Sequence, residues 1–424
     1  MTRWLPVLGL LIVAIEVRGE PPRWTLGRAT KLPSQYTNQE STYFSLVEGR
    51  NGKLYIGAAK YGENAYLLEY DPATDSTVLV VDAMKTIGST ARGFAAQAKF
   101  HTRGNVGESG RIYHGTKQGY PEAGESRDDY PGGYVIVYDP ATRTAEHFGI
   151  AKPKHGIISV MPDESRGLIY LSTCSDDRPI DHSHFMVLDV RTRQYTDLGD
   201  MEHMYAFIVL DHRGRALHPI RGGMIARYDP EAKKLERLRV QIDDRDLPPS
   251  LRHDGVIWNW ETSPDRKTLW GIELATNQLY EWDLTSPGET IRGWSRGRLL
   301  NWAEATDCRA MCVDSEGDVW ATVTVHQGVK EGPACHLVSY RRGGVPYDHG
   351  RLGVKNPEFT TFVDESGKPK PWHHTMPKTS EGILSPWQPM GICATRDSVY
   401  VVTIAPFTLL RFDRGELVKQ RNAR

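Results

Sequence analysis

Tyr134 to Thr144 read YVIVYDPATRT. A run of β-branched and aromatic residues has strand character, and Asp139-Pro140 stops it and starts a turn. The same element recurs as YLLEYDPATDS from Tyr66, FMVLDVRTRQ from Phe185, MIARYDPEAKK from Met224 and QLYEWDLTSPG from Gln278. Weaker copies are HLVSYRRGG from His336 and LLRFDRGE from Leu409. A second element precedes each copy, a turn followed by a strand: NGKLYIGA, SGRIYHGT, RGLIYLST, RGRALHPI, RKTLWGIE, EGDVWATV and RDSVYVVT. Five of these turns carry Gly, which tolerates positive φ. Upstream of the turns lie further β runs, such as YAFIVLDHRG and RAMCVDSEG. Each unit therefore supplies three or four antiparallel strands, and seven units over about 380 residues give a period near roughly 55, in the propeller range. The expectation is an all-β protein, a seven-bladed β-propeller spanning 20–424. Two β-sandwiches would explain the strands without the recurrence. The Pro- and Gly-rich segment 343–386 reads as a long insertion before the last unit.

The 424 residues carry a formal net charge of -1, which gives no electrostatic case for nucleic acid or an anionic membrane. The start, MTRWLPVLGLLIVAIEVRGEPP, has Arg3, an apolar run from Leu5 to Ile15 and small residues up to Gly19. It reads as a signal peptide over 1–19, so the mature chain is expected to be a monomer, secreted or periplasmic, with no membrane segment after cleavage. Five cysteines, Cys174, Cys308, Cys312, Cys335 and Cys393, are too sparse for a disulfide scaffold. Pairing strands about Glu316 brings Cys308 near His326, with Cys335 and His336 beginning the next strand. These four form a candidate zinc set. A structural Zn or Ca ion is the cofactor the sequence allows, and catalysis is expected to require none.

In a propeller, loops entering first strands and leaving second strands share one end of the channel, where ligand sites gather. That end collects Lys117 and Tyr120, His184, Arg221 and His326, together with His155, Tyr205, His253, Arg309 and Trp387. The hairpin LDHRGRA turns near Arg213, and Tyr205 and Arg221 each lie eight residues from it. Antiparallel pairing would set them side by side.

The run from Phe100 to Ile150, containing KFHTRG and RIYHGTKQGYP, and the run GLIYLSTCSDDRPIDHSHFMVLD from Gly167 resemble exported bacterial propellers of the ulvan lyase type. The likeness is weaker over the last three units. It implies a polysaccharide lyase that cleaves a uronate-containing, perhaps sulfated, anionic glycan by β-elimination. In that pattern T-H-x-G-Y follows a second strand and G-G-H precedes the next. Here Lys117 and Tyr134 stand where those two histidines are expected, whereas His101 and His184 match. Elimination needs a cation for the carboxylate, a base for the carbon acid and an acid for the leaving oxygen. Tyr205, Arg221, His155, Lys117 and Tyr134 are the expected catalytic set. Tyr120, His101, His184, His253, Arg309 and Trp387 are the expected substrate contacts. A non-catalytic glycan- or protein-binding propeller is the alternative, favoured by the two replaced histidines. A metal-dependent lactonase is a third, weakened by the shortage of acids at the presumed mouth.

Overall fold

The computed structural model describes residues 23–37, 41–175, 182–203, 207–247, 257–304, 306–326, 333–356, 376, 378–405 and 407–423. The expected signal peptide, Tyr205 and His253 lie outside them. The chain is almost entirely β. Antiparallel meanders of four strands succeed one another. The first runs Ser41–Glu48, Leu54–Lys60, Asn64–Asp71 and Ser76–Asp82; the second Asn105–Val106, Ile112–Lys117, Tyr134–Asp139 and Thr144–Ile150. The third is Gly156–Asp163, Leu168–Cys174, His184–Asp189 and Gln194–Asp200; the fourth Val209–Leu210, Ala216–Ile220, Met224–Asp229 and Lys234–Ile242. Then come Ile257–Thr262, Thr268–Glu273, Gln278–Asp283 and Thr290–Arg298, followed by Thr306–Val313, Val319–Val325, Ala334–Tyr340 and Tyr347–Val354. The opening element, Tyr134–Asp139, is a third strand, and its four middle residues are buried. Sheets packed on both faces require that continuous apolar run, where a half-exposed strand would alternate.

The last three strands, Trp387–Ala394, Ser398–Ala405 and Thr408–Asp413, gain their fourth from the start of the chain. Trp24–Lys31 pairs antiparallel with Thr408–Asp413, Ala29 opposite Leu410. Its other edge runs parallel to Tyr347–Val354. Chain closure by the N-terminal strand was not foreseen from sequence. The alternating burial of WTLGRATK marks a strand but not its partner. The first strands of successive meanders pack on one another: 41–48 against 105–106 and 387–394, 306–313 against 257–262 and 387–394, 209–210 against 257–262. They surround a channel lined by Phe44, Arg103, Asn259, Arg309, Met390 and others.

The turn glycines behave as their sequence context required. Gly52, Gly110, Gly167, Gly214 and Gly317 all have positive φ, from 64° to 89°. The segment 343–386 is not wholly an insertion, because Tyr347–Val354 within it is a regular outer strand paired with Ala334–Tyr340. Gly343-Gly344 is therefore an ordinary turn between neighbours.

After the last strand a helix, Arg414–Asn422, is capped by Asp413, whose side chain accepts from the Glu416 amide. Its first residue is buried and donates from Nη2 to Asp314 Oδ2 at 2.6 Å. Asp314 also accepts from Trp320 Nε1. Arg414→Met would strand the Asp314 carboxylate in the core, and a loss of about 3–5 kcal/mol is expected in denaturant unfolding. A change below about 1 kcal/mol would show that water or another donor replaces the guanidinium.

Candidate functional site

Between the first and second meanders the chain makes a two-residue strand, Lys99–Phe100. It pairs on one side with Ala59 and on the other places Lys99 opposite Lys117. Direct cross-strand partners share a face, so the two lysines stand together. Each is only 1% exposed. The Lys99 ammonium lies 5.0 Å from the Tyr61 ring centre and 4.6 Å from that of Tyr120. The two rings meet edge to face at 5.5 Å, and Tyr120 is half exposed. A cation over two aromatic faces is held by their quadrupoles as well as by charge. Lys117 is the last residue of Ile112–Lys117, not part of the loop that its sequence context suggested. Its stem packs against Gly156, where a Cβ would fall 2.4 Å from Lys117 Cγ and 2.3 Å from Gln118 Oε1. Gly156 thus lets the third meander approach the lysine. Gln118 is buried and its Oε1 accepts no hydrogen bond among the described residues. Gln97, missed by the sequence reading, accepts from Thr116 Oγ1 at 2.6 Å and Tyr130 Oη at 2.8 Å, and fixes the backbone beneath.

His101 follows Phe100, is fully buried and lies edge-on to Phe44 at the channel wall. Burial holds its imidazole well below the usual histidine range, and the charges of Lys117, Lys99 and Arg309 push it further. His101 is therefore a neutral member of a cationic cluster. Arg309 lines the channel and is chelated by Asp307, both oxygens 2.8 Å from Nε.

The third meander adds two imidazoles. His155 and His184 meet edge to face at 5.3 Å. His155 Nδ1 is 3.1 Å from Thr173 Oγ1, and that oxygen also accepts from the His184 amide. Burial, then the neighbouring His184, Lys152 and His182, lowers His155 to about 4. It is uncharged at neutral pH. His184 Nδ1 is 2.9 Å from Asp197, which also takes Lys152 Nζ at 3.0 Å.

Other expected site residues stand apart. Tyr134 shares backbone contact with Thr116, but its ring turns toward the outer strand and packs edge-on against His147. It does not join Lys117 as a catalytic group, because its side chain leaves the opposite face of the strand. Arg221 follows the strand Ala216–Ile220, is exposed and pairs with Glu202 at 3.0 Å. The register Val209↔Leu217 is the one that the Tyr205 and Arg221 pairing assumed. Trp387 begins the strand Trp387–Ala394.

The expected zinc set is not assembled. Cys335 and His336 are consecutive residues of one strand and point to opposite faces. His336 turns its Nδ1 to Asp348 at 3.1 Å and its ring to Trp302, and His326 is exposed. Cys308 and Cys335 are buried thiols whose ionisation burial pushes up, Cys335 to about 12, so they behave as apolar groups. No cluster of three or more His, Cys, Asp or Glu suited to a metal occurs among the described residues. No helix among those residues is long and apolar enough to cross a membrane.

No family model and no curated protein matches the chain. Solved structures do. The chain is similar to the extracellular domain of BT4673 from B. thetaiotaomicron, with TM-score 0.50, 12% identity and 92% of this chain aligned. It spans about 40% of that protein's length. It is similar over 97% of its length to a chain of the Mitotic Checkpoint Complex covered to 98%, with TM-score 0.51 and 10% identity. It is also similar to the Cps50 (Swd1) β-propeller domain of Myceliophteria thermophila, with TM-score 0.50, 10% identity and coverages of 89% and 96%. At these identities the likeness is one of fold, and the fold of this chain is β-propeller-like.

Proposed function

We propose that the chain is a secreted polysaccharide lyase that cleaves a uronate-containing, in part sulfated, glycan by β-elimination on a seven-bladed propeller. The succession of four-stranded meanders around one channel supports the blade count. The observation that carries the function is the pair of buried lysines, Lys99 and Lys117, beside Tyr61 and the half-exposed Tyr120. Cations in a sheltered site neutralise a carboxylate far better than cations in water, which is what the enolate-like transition state demands. Tyr120 offers a face for a sugar ring. His155, neutral above about pH 4, and His184, edge to face with it, are the candidate proton acceptors, and Gly156 next to His155 packs on the Lys117 stem. The signal-like N-terminus supports export.

The outward ring of Tyr134 and the ion-paired Arg221 favour a second reading, a propeller that binds the same glycan without cleaving it. The two are separated by incubating purified protein with uronate polysaccharides and following ultraviolet absorbance of the unsaturated product. A rise with at least one glycan is expected. A flat trace with measurable glycan binding would support the second reading, and neither cleavage nor binding would remove both.

A further inference from the structure

On the assumption that the site eliminates a uronate as proposed above, we infer that His184 is the base that removes the carbon-bound proton and that Asp197 is its positioning residue. Neither assignment follows from the motifs, which mark His184 only as a contact and do not mark Asp197 at all. The geometry is that of a carboxylate–imidazole dyad. His184 Nδ1 lies 2.9 Å from Asp197, and its Nε2 makes no hydrogen bond among the described residues. Asp197 opposes burial with bonds from His184, the Gly199 amide and Lys152, which together hold it below its ordinary range. It stays ionised, fixes the proton on Nδ1 and leaves the Nε2 lone pair as the acceptor. The remaining charged and titratable groups around the ring are His155, Lys152 and the His182–Asp200 pair, 2.5 Å apart. His155 is neutral, so the imidazolium that forms on His184 meets no charge on the adjoining ring.

The step balances without a redox partner. Nε2 forms a bond to the proton α to the carboxylate. The C–H electron pair becomes the new carbon–carbon double bond, and the glycosidic C–O bond breaks toward oxygen. That oxygen takes a proton from water, and His184 returns its own to solvent.

The test is steady-state elimination kinetics for wild type, Asp197→Asn, Asp197→Glu and His184→Gln, with melting curves and glycan binding measured on each. Asp197→Asn and His184→Gln are expected to lower kcat by about 100-fold or more, while KM and glycan binding stay within about threefold. Asp197→Glu is expected to recover part of the loss. Wild-type kcat in a folded Asp197→Asn or His184→Gln protein would overturn the dyad while leaving the lyase reading in place. No elimination by wild type with any uronate glycan would overturn that reading and the dyad with it.

Discussion

Lys117→Met is expected to lower kcat/KM for the cleaved glycan by about 1000-fold, roughly 4 kcal/mol of transition-state stabilisation. The side chain is nearly isosteric in its stem, so the contact with Gly156 survives and the ammonium alone is lost. In a sheltered site that ammonium is worth more than a surface cation, because water cannot replace it. Lys117→Arg is not expected to rescue, since a guanidinium is broader than an ammonium and donates in a fixed plane. Lys117→Met should also release the charge felt by His101, whose imidazole burial first and Lys117 second hold below its usual range. A histidine resonance titrating closer to neutrality would report this without any activity assay. Unchanged cleavage with a folded Lys117→Met protein would move the carboxylate-binding role to Lys99 or Arg309.

Acid is expected to destabilise the protein well before its carboxylates titrate. His114, His218 and His349 are buried, and burial brings each to about 3. Each is placed as a neutral ring. His218 Nε2 lies 2.9 Å from Ser172 Oγ, His349 Nε2 lies 2.8 Å from Ser339 Oγ and its ring stacks on Trp320, and His114 packs on Phe100. The folded values lie below that of an unfolded histidine, about 6.5. The unfolded chain therefore binds more protons between about pH 6.5 and 3, and stability falls as pH falls through that window. At pH 5 each histidine contributes a loss of about 2 kcal/mol, so the three together approach the whole stability of an ordinary domain. Urea midpoints at pH 7 and pH 5 measure the effect. Equal midpoints would mean that the rings can be protonated in place. His218→Gln is expected to reduce the pH dependence by about one fifth even though it lowers stability at neutral pH, because His101 and His155 are also held below the usual histidine range and it removes one of five similar titrations.

The sequence alone determined the local grammar of this chain. The recurring YDPAT-type turns, the turn glycines with positive φ and the buried third strands were all legible, because each depends on residues within one hairpin. What lay beyond one hairpin was not. Lys99 and Lys117 meet because an irregular two-residue strand bridges two meanders, and no periodic signal marks so short a pairing. Trp24–Lys31 alternates like a strand, yet its partners lie at the far end of the chain. Cys335 and His336 are adjacent in sequence and for that reason face opposite sides of a sheet, which undoes a ligand set built from proximity alone. Tyr134 likewise follows Gly133 into the site by its backbone and leaves it by its side chain. Strand identity is a short-range property of the chain. Which faces meet is settled only when sheets pack, and the candidate chemistry of this protein sits where they do.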